Sequence, residues 1–454
     1  MPEPPIAKKK ARRHTPQVMA LTGVGMGLTL LTEVLIASRL GARGLTDALI
    51  LALSMPRLLA NVGREATKFS LLTVFVRVDE RQGEQALRDL AQRVLNLFLL
   101  IGLMLTLAAV VWAGPLMRLL GPGLDPDSLR EAQHLLRFCA PVAIFALGSA
   151  VLEVTLNCRH RFTITATRNT VAPLVVVLII LATWPLEHVA RWIAGGLSLG
   201  YGCFFVLLLM RARKEMGLRL DLRRWPDRRA MRELRGTIAY PLLGFGVRQG
   251  SRMAERSIAS LAGPGGVTAY YLAYHLLGAV QNLVGVSIAL TGQPRLTRHD
   301  LAGDQQRFGR LLGRRVLYSL AVSLPIAAGV TLLHRPIIDL LYGHGRFDAE
   351  AVAATSGVLM ILGPAIIFYC MIPVLSSALY ARKRFGAVLY NMTLAGATNI
   401  LLAWVMFRWW GLTGVALAAL AASCVAVINL ALLLRAGPAR AASTLAGSAI
   451  EPQP

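Results

Sequence analysis

An all-α, polytopic membrane protein is the fold class this sequence predicts, with about 12 transmembrane helices in two six-helix lobes related by a parallel pseudo-twofold repeat. Three observations predict it. Apolar residues of the AVILMFWYC set make up 55% of the 454 residues, against 48 Lys and Arg and 24 Asp and Glu, more apolar matter than a soluble domain of this length carries. These residues are gathered into nearly charge-free runs of about 20, the length that crosses a ~30 Å hydrocarbon core as a helix. A third observation is a segment pattern that recurs half-way along the chain.

The runs fall at 17–38, 46–72, 94–114, 136–156, 163–184, 189–210, 236–260, 267–291, 316–334, 352–379, 386–407 and 411–434. Lys8, Lys9, Lys10, Arg12 and Arg13 precede the first run, which places the N-terminus in the cytoplasm under the positive-inside rule. No small-residue cleavage site follows that run, so it is read as a retained span rather than a signal peptide. Alternating from there puts 32 of the 48 basic residues on the cytoplasmic side. The net charge of +24 is therefore a topology signal, and no nucleic-acid partner is expected. The resulting organisation is a basic cytoplasmic N-terminus (1–16), an N-lobe (17–210), a basic cytoplasmic linker (211–235), a C-lobe (236–435) and a cytoplasmic tail (436–454).

The repeat supports the two lobes. Leu156, Arg159, Arg161 and Phe162 after the fourth span recur as Leu379, Arg382, Arg384 and Phe385 after the tenth, an L-x-x-R-x-R-F pattern at an offset of 223. Gly44, Thr46 and Gly63 correspond to Gly266, Thr268 and Gly285 at an offset of 222. An even number of spans per half sets both halves the same way up. Parallel repeats of this kind are found in transporters, where the substrate path lies between the halves. Gly63 and Gly285 serve either ordinary helix packing or a gate. The segment from Asp125 to Leu136 reads as a surface helix capped by Asp125, and the capping reading is preferred to a metal-nucleotide role for the D-x-D of Asp125 and Asp127. Cys139, Cys158, Cys203, Cys370 and Cys424 lack close pairing, so they are read as small packing residues rather than disulfides or metal ligands. Nucleotide, hydrolase and zinc motifs are absent from the sequence, so catalysis is not expected.

A charge at the centre of a spanning helix costs on the order of 2.5–3.5 kcal/mol, so intramembrane ions face cavities or partners. In the second span Arg57, Asn61, Arg64 and Lys68 follow at i, i+4, i+7 and i+11, with Glu65 beside them, and draw one polar stripe. In the seventh, Arg248, Arg252 and Arg256 follow at steps of four, with Gln249 and Glu255 alongside. Snorkelling accounts for Lys68 and Arg256 near span ends but not for Arg57 or Arg248. An ion-pair network with Glu33, Asp47, Glu65, Glu153 and Glu255 is one reading. The other is a wet cavity for a multivalent anion, because the guanidinium fork holds phosphate oxygens in two parallel bonds. Arg168 in the fifth span and His275 in the eighth are further cavity or coupling candidates.

The chain resembles the MviN/MurJ family of lipid II flippases, within the multidrug/oligosaccharidyl-lipid/polysaccharide exporter superfamily. The resemblance rests on GARGLTDALILALSMPRLL at 41–59, GPGLDPDSLREAQHLLRFCAP at 121–141, AYPLLGFGVRQ at 239–249, QPRLTRHDLAGDQQRFGRLLGRR at 293–315, LLYGHGRFDAEAVAATSGVL at 340–359 and GLTGVALAALAASCVAVINLALLLR at 411–435. It implies an inner-membrane carrier of undecaprenyl-diphosphate-linked sugars working by alternating access, with both termini cytoplasmic. Arg57, Arg64, Arg248, Arg252 and Arg256 would bind the diphosphate. Asp47, Asn61, Glu65, Arg168, Glu255 and His275 would serve the cavity or coupling. Asp47 and Glu65 match family acids. Family basic positions are occupied here by Met26, Thr32 and Tyr274. Implied partners are the lipid-linked glycan, membrane lipids and glycan-synthesis machinery. No cofactor is expected, and the coupling ion or potential is unspecified. A non-transporting scaffold of a glycan-synthesis complex and a small-molecule exporter of the same superfamily are the alternatives.

Overall fold

The computed structural model describes residues 5–436 except 160, 187, 219–220, 222–224 and 226–227. The expected tail, the first four residues and part of the 211–235 linker lie outside the described residues. Every regular element among the described residues is helical. The chain opens with α1 (Pro5–Leu40) and α2 (Gly44–Val111). Then come α3 (Ala113–Leu120), α4 (Pro126–Cys139), α5 (Val142–Cys158), α6 (Phe162–Ala166), α7 (Arg168–Ala182), α8 (Val189–Met216) and α9 (Arg228–Ala259). A second series runs α10 (Gly266–Val280), α11 (Ser287–Leu301), α12 (Gln305–Leu332), α13 (His334–Tyr342), α14 (Ala349–Ala381) and α15 (Phe385–Arg435). A π-helical turn, Gln281–Val286, joins α10 to α11 without a break.

Ten segments among the described residues are long and apolar enough to cross a membrane. At a rise of 1.5 Å per residue, the 51 residues of α15 would span about 76 Å, more than twice a hydrocarbon core. The helix instead turns at Gly411, where φ is 55°, so α15 holds two crossings. The 32 residues of α9 are long enough for another, though its arginines lower its hydropathy. Twelve crossings are consistent with these helices. Large side chains left bare, such as Leu332, Leu340 and Leu119, are what a lipid-facing surface requires.

Asp125 caps α4 as expected, accepting from the Ser128 N–H at 3.0 Å, and among the described residues no His, Cys, Asp and Glu cluster could hold a metal ion. The segment forms an amphipathic helix with one face exposed, at Asp127, Arg130, His134 and Arg137. Ala132, Leu135, Leu136 and Cys139 of α4 are buried, and Pro126–Cys158 forms one span-length segment. The apolar face at a spacing of three and four is packed inward. An equivalent cap recurs before α14, where Asp348 accepts from the Ala351 N–H at 2.9 Å.

The repeat is also visible in packing. A Cβ on Gly63 would run into Leu147 of α5, and a Cβ on Gly285 would run into the backbone of Cys370 in α14. Leu147 and Cys370 are 223 positions apart, so equivalent glycines meet equivalent partners. Both glycines thus serve close helix packing within their own half.

Grouped by backbone contacts, the chain forms one unit of Met1–Thr268 with Leu341–Ala351 and a second of Ala269–Leu340 with Val352–Pro454. Packing therefore assigns α9 to the first unit. Among the described residues of that unit, two apolar cores are seen. One gathers Leu49, Leu53, Met117, Leu135, Leu136 and Ile193; the other gathers Phe75, Leu87, Leu95, Val151, Phe204 and Leu208. Along α2 the first core extends to Ala60 and the second begins at Leu71, so the polar stripe crosses their junction. The second unit has smaller cores around Leu379, Val388 and Leu430 and around Leu296 and Phe308.

Candidate functional site

Pro56 sits inside α2, immediately before Arg57. Proline has no N–H for the carbonyl four residues back, which is that of Ala52. Cys139 supplies the missing donor, its thiol lying 3.4 Å from the Ala52 oxygen. The second unit uses the same remedy at Pro373, whose missing bond frees the Tyr369 carbonyl; Gln281 Nε2 donates to it at 3.1 Å. In a medium without water each freed carbonyl needs such a partner.

The α2 stripe meets acids from neighbouring helices. Arg57 lies 3.7 Å from Glu33 of α1, which is 4% exposed. Arg64 contacts Glu65 at 2.9 Å and lies within electrostatic range of Glu153 on α5 and Arg168 on α7. The Arg168 guanidinium stands over the Tyr201 ring at 5.9 Å and hydrogen-bonds that side chain. Tyr201, on α8, is also within range of Arg57 and Arg64. These residues form one polar cluster inside the first unit, and two of its guanidinium atoms, Arg64 Nε and Arg168 Nη1, are buried without a hydrogen-bond partner. Asn61 is half-buried on the same stripe and Lys68 is exposed.

Asp47 does different work. Its side chain is fully buried and accepts from the backbone N–H groups of Gly265 and Thr268, each at 2.7 Å, and from the Thr268 hydroxyl. A carboxylate taking N–H groups from the first turn of α10 is a cap supplied from another helix. Around it the backbones approach closely. A Cβ on Gly265 would meet the Ala42 carbonyl, one on Gly41 that of Arg346, and one on Gly345 that of Ser38. All three glycines have positive φ, 89°, 72° and 69°, which glycine adopts without strain.

On α9, Arg256 donates from Nη1 to Ser54 of α2 at 2.6 Å, Glu255 is 2% exposed, and Arg252 is half-buried. Arg248 is exposed, its guanidinium 5.1 Å from the centre of the Phe245 ring. His275 is half-buried against Tyr271 in the second unit, ring centres 5.9 Å apart. The structure thus brings together Arg57, Arg64, Glu65 and Arg168. It commits Asp47 and Arg256 to named partners and places His275 apart from them, against Tyr271. Sequence reading missed Tyr201. Its one signal was a phenol within the glycine-rich run GLSLGYG of an apolar span.

The charges around the cluster are close to balanced. Arg57, Arg64, Lys68 and Arg168 face Glu33, Glu65 and Glu153, since Asp47 is held by its backbone donors. Over 248–256 of α9, three arginines accompany one glutamate.

A family model described as "Lipid II flippase MurJ" matches residues 36–446. A relative from Bdellovibrio bacteriovorus, named "Probable lipid II flippase MurJ", is 27% identical over 422 residues, covering 90% of this chain and 79% of its own. One of the same name from Thermotoga maritima is 23% identical over 389 residues, covering 86% and 78%. Among solved structures, a lipid II flippase MurJ in an inward closed conformation superposes with a TM-score of 0.81 at 19% identity, covering 92% of this chain and 87% of that one. An inward-facing multidrug resistance MATE transporter gives 0.77 at 13%, covering 92% and 99%; at these identities the two structures speak to the fold. With a family match over nine-tenths of its length, this helical membrane protein belongs to the lipid II flippase MurJ family.

Proposed function

We propose that this chain flips an undecaprenyl-diphosphate-linked glycan precursor, lipid II or a relative of it, across the bacterial inner membrane by alternating access. The observation that carries the reading is the arginine stripe of α9, Arg248, Arg252 and Arg256 at steps of four, in a family of lipid II flippases. The diphosphate is the part of such a lipid that hydrocarbon rejects most strongly, and the protein must replace its water with donors that stay charged. Arg248 and Arg252 take the diphosphate oxygens in forked pairs of bonds, while Arg57 and Arg64, already balanced by Glu33 and Glu65, keep the neighbouring path polar for the sugars. The prenyl tail stays in lipid throughout. Glycan-synthesis machinery supplies and removes the cargo, and both termini lie in the cytoplasm.

The test is transport of a diphosphate-linked lipid into proteoliposomes by Arg248 variants of matched abundance. Arg248→Ala is expected to lower the rate by at least tenfold. Arg248→Lys is expected to lower it nearly as far, since a point charge cannot reproduce the fork. Wild-type rates in both variants would remove Arg248 from the site and leave a scaffold role in play.

A further inference from the structure

The repeated L-x-x-R-x-R-F segment is a helix stop that aims two arginines. In the first half Leu156 is fully buried, and its carbonyl accepts the N–H groups of Arg159 at 3.0 Å and of Arg161 at 3.1 Å. In the second half Leu379 is equally buried, and its carbonyl accepts the Arg384 N–H at 2.9 Å. Between the two arginines of that half, Lys383 has a left-handed φ of 56°. A bond closed from five residues on, across a left-handed residue, is the Schellman way of ending a helix. It holds both arginines in set directions at the ends of α5 and α14.

Their side chains then make matching contacts. Arg159 reaches Asp79 at 3.4 Å and Glu84 at 2.9 Å, on either side of Gly83, where α2 turns. Arg382 reaches Asp300 at 3.6 Å and Gln305 at 2.7 Å, on either side of Gly303, which has a φ of 69° between α11 and α12. The second arginine of each pair holds the end of the sixth or the twelfth span. Arg161 contacts Glu215 near the end of α8 at 2.9 Å; Arg384 donates to the Leu433 and Ala436 carbonyls at the end of α15, at 2.6 and 2.9 Å. The first set of contacts lies wholly within one unit and the second set wholly within the other.

Partly exposed ion pairs of this kind add about 0–1 kcal/mol of stability, so stability alone is a poor reason to build the same device twice. What the two sets share is the helix ends they join: the elbow after the second or eighth span, the end of the fourth or tenth, and the end of the sixth or twelfth. We propose that Arg159 with Arg161, and Arg382 with Arg384, are positioning residues for transport, each pair clamping the cytoplasmic helix ends of its half so that the half moves as one body. This rests on the flippase reading, because a rigid half matters only to a carrier that alternates.

The clamps differ in chemistry, which makes the first testable by charge exchange. Arg159 closes on two carboxylates, whereas Arg382 closes on one carboxylate, the Gln305 amide and the Leu434 carbonyl. The experiment uses the full chain in lipid vesicles, with spin labels on unnatural residues at 82 and 214 to report the distance between the α2 elbow and the end of α8. Wild type is expected to show one narrow distance with and without a diphosphate-linked lipid. Arg159→Ala is expected to broaden it and to slow transport about tenfold. Arg159→Glu is expected to act likewise, and its combination with Asp79→Arg and Glu84→Arg to restore both the narrow distance and the rate. Arg159→Lys, a milder change should the others fold poorly, is expected to broaden the distance in part. A narrow distance in Arg159→Ala, a broad one with wild-type transport, or a charge exchange that restores neither readout would each overturn the clamp. A wild-type protein that moves no diphosphate lipid would instead sink the flippase reading, which the distance measurement does not depend on.

Discussion

Asp47 shows how far a residue's role depends on what the chain brings to it. In sequence it is an acid in an apolar run, a candidate for coupling or for an ion pair. In the structure both its oxygens are occupied by donors at the start of α10. Asp47→Asn keeps the shape but turns one acceptor into a donor facing N–H groups, and a buried donor left without its acceptor costs about 1–3 kcal/mol. The variant is expected to melt at a lower temperature than wild type in detergent, and equal melting temperatures would show that the cap contributes nothing. Cys139 carries the same lesson: its packing role was legible in its type, but not that it would repair the backbone at Pro56. Arg57 and Arg64 were legible as membrane arginines. Their partner Glu33 comes from another helix, and no spacing within one helix could assign it.

At the scale of elements, caps and turns were the best-marked features. Asp125 followed by Pro126 announces a helix start, and α4 begins there. The Ser128 N–H and hydroxyl hold the Asp125 carboxyl below the usual carboxylate range of about 3.8. For a carboxyl depressed in the folded state, the stabilisation is present above the unfolded value and is lost as pH falls through the folded one. Asp125→Ala is therefore expected to cost about 1 kcal/mol near neutral pH. The melting difference between variant and wild type should shrink towards zero in strong acid; a difference that persists there would mean the carboxylate is not the cap. The surface-helix reading of this segment left the partner of its apolar face open. An amphipathic stripe states that one face is apolar, not whether lipid, water or another helix meets it, and here Leu135 and Leu136 meet the first unit's core.

At the scale of the whole molecule, the uneven distribution of basic residues predicts that both termini and the 211–235 linker face the cytoplasm. Trp225→Cys, at an exposed position of that linker, is expected to resist a membrane-impermeant thiol reagent applied to intact cells. Arg346→Cys, exposed on the opposite predicted side, is expected to react. Labelling of Trp225→Cys from outside would reverse the topology.

Membrane class, helical architecture and the repeat were determined by the sequence alone, because hydrocarbon leaves helix and closed barrel as the only ways to satisfy a backbone, and runs of 20 apolar residues choose the helix. The L-x-x-R-x-R-F pattern was likewise legible as a repeat, since identical residues at one offset need no structure to be seen. Tertiary structure decided what those residues are for. Only packing sets Glu33 against Arg57, gives Asp47 the donors of α10, and turns two copies of a short pattern into clamps on the ends of three helices. The physical reason is that a charge inside a membrane acquires its role from the nearest countercharge or donor, and in this chain that neighbour usually stands on another helix, as far as 221 residues away.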